Sequence, residues 1–321
     1  MALRLSPLEN LVMLRQKILV TGATGFIGAA VARQLVQEGR DVALTLRPNT
    51  NTHRITDLLN HVTIIHADLN DPSLDANLFT AFSPDAAAHL AWSGVHGSDR
   101  NNPAQIENVP ATVALYRAVT ATGCRRIVAL GSQAEYGPCA NRASESTPTN
   151  PTTIYGAAKL ATFWLLNRMA AVDGVSAAWL RLFSSYGPGD HPNWMIPYLI
   201  NTLLRRERPA LTQCEQLWDY IYVDDAAAAV VALIDNDAQG PFNLGSGEAQ
   251  PLRKIVETIR DQIDPALPLG FGEVPYRPDQ VMHLEADINR LRSATGWAPK
   301  MSLEEGLART INHFRKAKLD R

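Results

Sequence analysis

The stretch Lys17-Ile18-Leu19-Val20-Thr21-Gly22-Ala23-Thr24-Gly25-Phe26-Ile27-Gly28 decides the fold. Lys17 to Thr21 is a short apolar run of the kind that forms a strand. Three glycines follow at the spacing G-x-x-G-x-x-G, and a helical pattern runs from Phe26 to Glu38, closed by Gly39. A bound pyrophosphate asks for glycine three times in such a place: for a tight turn, for close approach of the backbone to the phosphates, and for close packing of helix on strand. The N–H groups at the helix start then face the anion. Gly22, Thr24, Gly25, Phe26, Ile27 and Gly28 are therefore candidate dinucleotide ligands. Taken alone, the same letters also describe a plain strand-to-helix turn.

The rhythm downstream separates the two. Short apolar strands are expected at 41–46, 62–66, 86–90, 126–131 and 176–183, with helices at 106–122 and 155–171. Strands alternating with helices in this way specify an α/β, Rossmann-type doubly wound parallel sheet. Beyond Phe183 the rhythm breaks. Segment 184–214 is rich in Pro, Asn and Trp, Leu217 to Val223 reads as a strand, and Asp224 to Ile234 as a helix. The tail reads as mixed, with helices near 251–263 and 302–316. The expected division is an N-terminal extension at 1–14, a cofactor domain of 15–183 plus 215–238, and a smaller C-terminal α/β substrate lobe of 184–214 plus 239–321. A ligand crevice would lie between the lobes, outside the strand ends.

Composition narrows the function. Thirty Lys and Arg against 32 Asp and Glu leave a net charge of −2, so no overall basic field favours nucleic acid. Three widely spaced cysteines make neither a disulfide framework nor a metal spacing, which points to a reducing cytoplasm and no metal site. The first residues lack a long apolar core, and no stretch reaches membrane-spanning length.

Cofactor choice is read at the end of the second strand. An acidic residue there binds a ribose 2′-hydroxyl, whereas a basic one accommodates a 2′-phosphate. The strand ends Leu44-Thr45-Leu46-Arg47, and Arg54 follows after a polar loop. Two guanidinium groups could clamp the phosphate, or both could be solvated loop arginines. The first alternative makes NADP(H) the preferred cofactor, with NAD(H) possible. Asp68, after the third strand, is placed to reach the adenine edge.

Tyr155 and Lys159 stand at i and i+4 on one helix face. A nearby ammonium favours phenolate and should lower the tyrosine pKa toward working pH, as a general acid/base for an alcohol–ketone pair requires. Ser132, at the end of the fifth strand, can hydrogen-bond the same substrate oxygen. The pattern Y-x-x-x-K is weak by itself and strong beside the glycine loop and a strand-end serine.

With these residues in view the chain resembles an extended short-chain dehydrogenase/reductase, of the nucleotide-sugar epimerase, dehydratase and reductase branch. The resemblance runs from about Lys17 to the C-terminus. It rests on TGATGFIG, His89-Leu90-Ala91, Asn108-Val109, GSQAEYG, YGAAK, Arg181-Leu182-Phe183, Asp219-Tyr220-Ile221, Tyr276-Arg277-Pro278-Asp279 and Gly296-Trp297-Ala298-Pro299. It implies that Leu69, Leu90, Ala91 and Phe183 join the cofactor site, and that Lys159 also contacts the nicotinamide ribose. Asn108 would help order that lysine, or serve as a helix cap or buried amide. Trp92, Gln133, Ser184, Trp218 and Arg277 become candidate substrate residues, and a homodimer through the helices near 106–122 and 154–171 is expected.

Departures from the family choose among branches. Where 4,6-dehydratases resemble one another in an Asp-Glu pair after the catalytic hydroxyl residue, this chain has Gln133-Ala134. Where GDP-fucose synthase-like epimerase-reductases carry Cys and His, it has Ala134 and Gly189; His191 nearby could replace that histidine or be a solvated loop residue. Trp218 stands where UDP-galactose 4-epimerase-like relatives have a diphosphate-binding arginine, which leaves Arg277 for that task. Ser184 stands where the family usually has Asn. The remaining chemistry is at C4 of a nucleotide-diphosphate sugar. The SQAEYG stretch, Trp92 and the PYRPD run are most similar to CDP-paratose synthase-like 4-ketoreductases. The expected reaction is reduction of an NDP-4-keto-6-deoxyhexose; an NAD-dependent 4-epimerase is the alternative, and an NADP-binding regulator without turnover a third.

Overall fold

The computed structural model describes residues 16–71, 73–277 and 280–319. The expected N-terminal extension lies outside the described residues. Six strands in chain order open the fold: β1 (Lys17–Thr21), β2 (Asp41–Leu46), β3 (Thr63–His66), β4 (Ala86–His89), β5 (Arg126–Ser132) and β6 (Ser176–Leu182). Three short strands follow, β7 (Ser184–Tyr186), β8 (Leu217–Trp218) and β9 (Tyr220–Tyr222), then β10 (Gly240–Leu244), β11 (Gln250–Pro251) and β12 (His283–Leu284). The main sheet is parallel, in the order β10-β6-β5-β4-β1-β2-β3.

Strand periodicity distributes side chains to two cores. Ile18 and Val20 of β1 enter one with Val31 and Leu35 of α1 (Phe26–Gln37) and Val230 and Leu233 of α6 (Val223–Ile234). Leu19 enters the other with Phe79 of α2 (Asn77–Thr80), Leu115 and Val119 of α3 (Asn108–Ala121), and Phe163 and Leu166 of α4 (Ile154–Asp173). Each such fully buried aliphatic or aromatic side chain contributes about 1.5–3 kcal/mol. Helix α4 starts where Thr153 Oγ1 accepts from the Gly156 amide at 3.1 Å, and it stops at Gly174, which has φ 65°. The cap places Tyr155 in the first turn. Chain order reverses between β4 and β1, which puts a ligand crevice at their carboxyl ends.

Toward the C-terminus come α5 (Met195–Leu204), α7 (Leu252–Ile263), α8 (Asn289–Thr295) and α9 (Leu303–Leu319). Two expectations are corrected here. The run 217–223 is not one strand: β8 pairs with β11 and β12, whereas β9 pairs with β7. The break is at Asp219, whose buried carboxylate accepts from Ser246 N and Oγ, Gly247 N and Ala286 N. Four donors hold the residue inward and turn the chain out of strand geometry. The second correction concerns 239–321, of which residues 240–244 leave the lobe and form the outer strand beside β6. Pro241 is tolerated there because an edge strand need not donate on its outer side.

Candidate active site

Gly22, Thr24 and Gly25 form one wall of a cleft of about 220 Å³. Thr45, Leu46, Arg47, Asp68, Leu69, Leu90, Ala91, Trp92 and Asn108 line it as well. Gly22 has φ 75°, and a Cβ on it would stand 2.6 Å from the Ala91 amide nitrogen. A Cβ on Gly28 would collide with the Gly22 carbonyl, so Gly28 serves the packing of α1 on the loop. Ile27 is buried in the core and Phe26 packs against it; neither lines the cleft by its side chain. A Cβ on Gly25 would meet only the Gly22 carbonyl, at 3.1 Å, and would otherwise take up open space. Gly25 is also the N-cap of α1, and no side chain caps the first-turn amides. Small residues at the wall and uncapped amides at a helix start suit a pyrophosphate.

Arg47 lines the cleft at the end of β2, beside Asp68, whose carboxylate accepts from the Asn70 amide at 3.0 Å. Arg54 does not join it. Its guanidinium donates to Gly189 O at 3.1 and 2.9 Å and to Thr24 O at 3.3 Å, fastening the glycine loop to the 187–190 turn. The expected two-arginine clamp is thus reduced to Arg47, because the chain's own carbonyls satisfy the second guanidinium.

Ser132, Tyr155 and Lys159 are all buried and meet at the carboxyl end of β5. Ser132 Oγ accepts from the Ala134 amide at 3.2 Å, which leaves its O–H to donate. Lys159 Nζ donates to the Leu130 carbonyl at 2.6 Å and lies 6.0 Å from the Tyr155 ring centroid. Burial raises the Tyr155 pKa, against the Ser132 hydroxyl and the Arg100 guanidinium, both of which favour the phenolate. Burial likewise lowers the Lys159 pKa to about 7, opposed by Glu135. The expectation of a tyrosine lowered by its lysine is therefore corrected: one desolvated site works against both charges. A phenol kept protonated in this way is a proton donor.

Asn108 is buried in α3 but reaches the loop before it: Oδ1 accepts from Ser93 N at 2.9 Å and Nδ2 donates to Ser93 O at 3.3 Å. Phe183, expected at the cofactor, lines instead a narrow slot of about 10 Å³ with Gln133, Tyr136, His283 and Glu285. Two expected substrate residues touch, since Trp218 Nε1 donates to Ser184 Oγ at 2.9 Å. Arg277 is exposed, next to Tyr276, whose hydroxyl accepts from the Glu215 amide just ahead of β8. His191 stacks on His96 with centroids 4.5 Å apart, bridging two loops.

Other residues at the site were not anticipated. Glu135 is fully buried; its Oε1 accepts from Ser132 N and Trp179 Nε1, and its Oε2 from Arg181 Nε, all at 2.8–2.9 Å. Arg181 also donates to the Tyr136 hydroxyl, which donates in turn to Asn243. The signal for Glu135 was present, because Ser132-x-x-Glu135 is a capping box and closes as one. Arg100 lies with its guanidinium carbon 4.9 Å from the Tyr155 ring centroid. Its loop has no periodicity from which that position could be read.

Comparison with known proteins agrees with this geometry. A family model described as the NAD dependent epimerase/dehydratase family matches residues 18–245. The UDP-glucose 4-epimerase of Halalkalibacterium halodurans is 30% identical over 307 residues, which are 88% of this chain and 90% of that protein. The dTDP-glucose 4,6-dehydratase of Escherichia coli is 26% identical, covering 93% of each. Among solved structures, the UDP-glucose 4-epimerase of Thermus thermophilus with NAD superposes with TM-score 0.83 at 26% identity, over 94% of this chain and 100% of that one. Glycine loop, strand-end serine and Tyr-Lys pair thus occur on a chain matched along most of its length: this protein is an enzyme of the short-chain dehydrogenase/reductase type and belongs to the NAD dependent epimerase/dehydratase family.

Proposed function

We propose that the protein reduces the C4 ketone of a nucleotide-diphosphate 4-keto-6-deoxyhexose, with NADP(H) preferred over NAD(H). The observation that carries this reading is the pairing of a buried Ser132-Tyr155-Lys159 set with Arg47, and no carboxylate, at the end of β2. A nicotinamide cofactor held along the cleft of the glycine loop and Arg47 would supply hydride to the carbonyl carbon. Tyr155 gives its proton to the oxygen, which gains negative charge as the hydride arrives, and Ser132 donates a hydrogen bond to the same atom. Lys159 holds positive charge behind them. Arg47 offers a charge-assisted contact to a 2′-phosphate. The second lobe would hold the nucleotide sugar, with Trp218, Ser184, Gln133 and Arg277 as its ligands.

Dehydration is disfavoured by the same site. Positions 133 and 134 are Gln and Ala, and Glu135 is turned away into its ion pair with Arg181. A 4-epimerase that retains NAD is the second reading, favoured by the similarity to UDP-glucose 4-epimerases. Purified protein incubated with NADPH and a panel of nucleotide 4-keto sugars separates the two. A reductase is isolated largely free of cofactor and consumes NADPH stoichiometrically at 340 nm. Tightly retained NAD with interconversion of UDP-sugars and no net absorbance change would establish the epimerase instead.

A cytoplasmic homodimer built on α3 and α4 completes the proposal. On α4, Trp164 is 58% exposed and Val172 71% exposed, two helical turns apart on one side. Sedimentation giving a monomer mass at micromolar concentration would remove the dimer from it.

A further inference from the structure

Lys159 is held by more than a hydrogen bond. Its ammonium lies 3.7 Å from the ring centroid of Trp92, against 6.0 Å from Tyr155 and 5.8 Å from Trp179. An ammonium has three N–H groups. Its one hydrogen-bond acceptor among the described residues is the Leu130 carbonyl, and the indole face takes up another side of the cation.

The indole is itself locked. Nε1 donates to Gln105 Oε1 at 2.8 Å, and the buried Gln105 amide donates to the Gly94 and Asp99 carbonyls at 2.5 and 2.9 Å. Asn108 fixes the adjoining backbone through both polar groups of Ser93. The Trp92 ring also meets Tyr155 edge to face, with centroids 6.1 Å apart and planes at 89°. The residues from Trp92 to Asn108 therefore deliver one rigid aromatic face to the lysine.

We propose that Trp92 is a positioning residue whose ring face, locked by Gln105 and Asn108, holds the Lys159 ammonium in place and in its charged form. The inference rests on the assignment of Lys159 to the catalytic set. Burial works against the cation, and the titratable groups around it are few. Glu135 faces it from the turn after β5, Tyr155 shares its helix, and His89 of β4 stays neutral, its pKa lowered to about 3 by burial. A desolvated π face stabilises a cation without adding an acid that competes for the substrate's proton.

The test follows the lysine directly. Full-length protein carrying 15N-labelled lysine is titrated by NMR, with the Lys159 signal assigned by its loss in Lys159→Met. Burial and Glu135 alone would put Lys159 at about 7, and with the ring face in place it should titrate above that. Trp92→Leu should move that titration down by about one unit, the size of a desolvated cation–π contact. Trp92→Phe should recover most of the shift. Turnover at a pH well above that titration should fall about tenfold in Trp92→Leu with KM for the sugar nearly unchanged, because there one unit is a tenfold change in ammonium. A folded Trp92→Leu protein whose Lys159 titrates as in the unmodified chain would overturn the inference. Should that variant not fold, Gln105→Leu frees the indole and carries the same test with the same two outcomes. If Lys159 shifts as expected but no nucleotide sugar is turned over, the functional reading fails and the positioning role stands.

Discussion

At the scale of single residues the site is a contest between burial and charge. Tyr155 and Lys159 are hidden together, and desolvation keeps the phenol protonated while it weakens the ammonium. That balance suits a proton donor whose cationic neighbour is held by an aromatic ring. In the proposed reading, Arg47 is the residue on which cofactor choice turns. Removing a charge-assisted phosphate contact costs about 1.5–3 kcal/mol, so Arg47→Ala should weaken NADPH by about 10- to 100-fold and leave NADH nearly unchanged. Fluorescence titration reads both affinities. Equal affinities of the unmodified protein for NADPH and NADH would contradict the assignment. Tyr155, Lys159 and the three glycines were legible in combination, because i, i+4 puts two side chains on one helix face and the glycine spacing stands between a strand and a helix of an alternating chain. Arg54 was misplaced for the opposite reason: a loop arginine is as well satisfied by carbonyls as by a phosphate, and only the fold shows which are near.

At the scale of elements, β5 and the turn after it carry Ser132, and their support comes from β6. The Glu135 carboxylate closes the capping box on Ser132 and is neutralised by Arg181 of β6, with both side chains almost fully buried. Removing one partner of such a pair leaves the other charge unpaired in the interior and costs about 3–5 kcal/mol. Arg181→Leu should therefore lower unfolding free energy in urea by about that amount, and loosen Ser132 with it. A loss below about 1 kcal/mol, the range of exposed pairs, would mean that Glu135 finds other compensation. Helix α4 was legible nearly to its ends, expected over 155–171 and observed over Ile154–Asp173. The 217–223 run and β10 were not. Alternation cannot show that Asp219 turns inward to four donors from the second lobe, and a Gly-Pro start conceals an edge strand.

At the scale of the whole molecule, topology brings the glycine loop and the buried Ser132-Tyr155-Lys159 set to one end of the sheet. The strand order reverses beside β1, the glycine loop occupies that reversal, and β5 brings Ser132 to the same end of the sheet. With a net charge of only −2, the overall field neither draws in nor repels an anionic substrate, so recognition of one would have to rest on local groups. The proposed reaction turns on one proton. Single-turnover oxidation of NADPH, followed at 340 nm with saturating nucleotide 4-keto sugar, compares the unmodified protein with Tyr155→Phe. Cofactor affinity should be nearly the same in both, and the rate should fall by about 10²–10⁴, the usual contribution of a general acid. A Tyr155→Phe rate within about threefold of the unmodified enzyme, far short of a general acid's share, would mean that another group delivers the proton and would contradict the account.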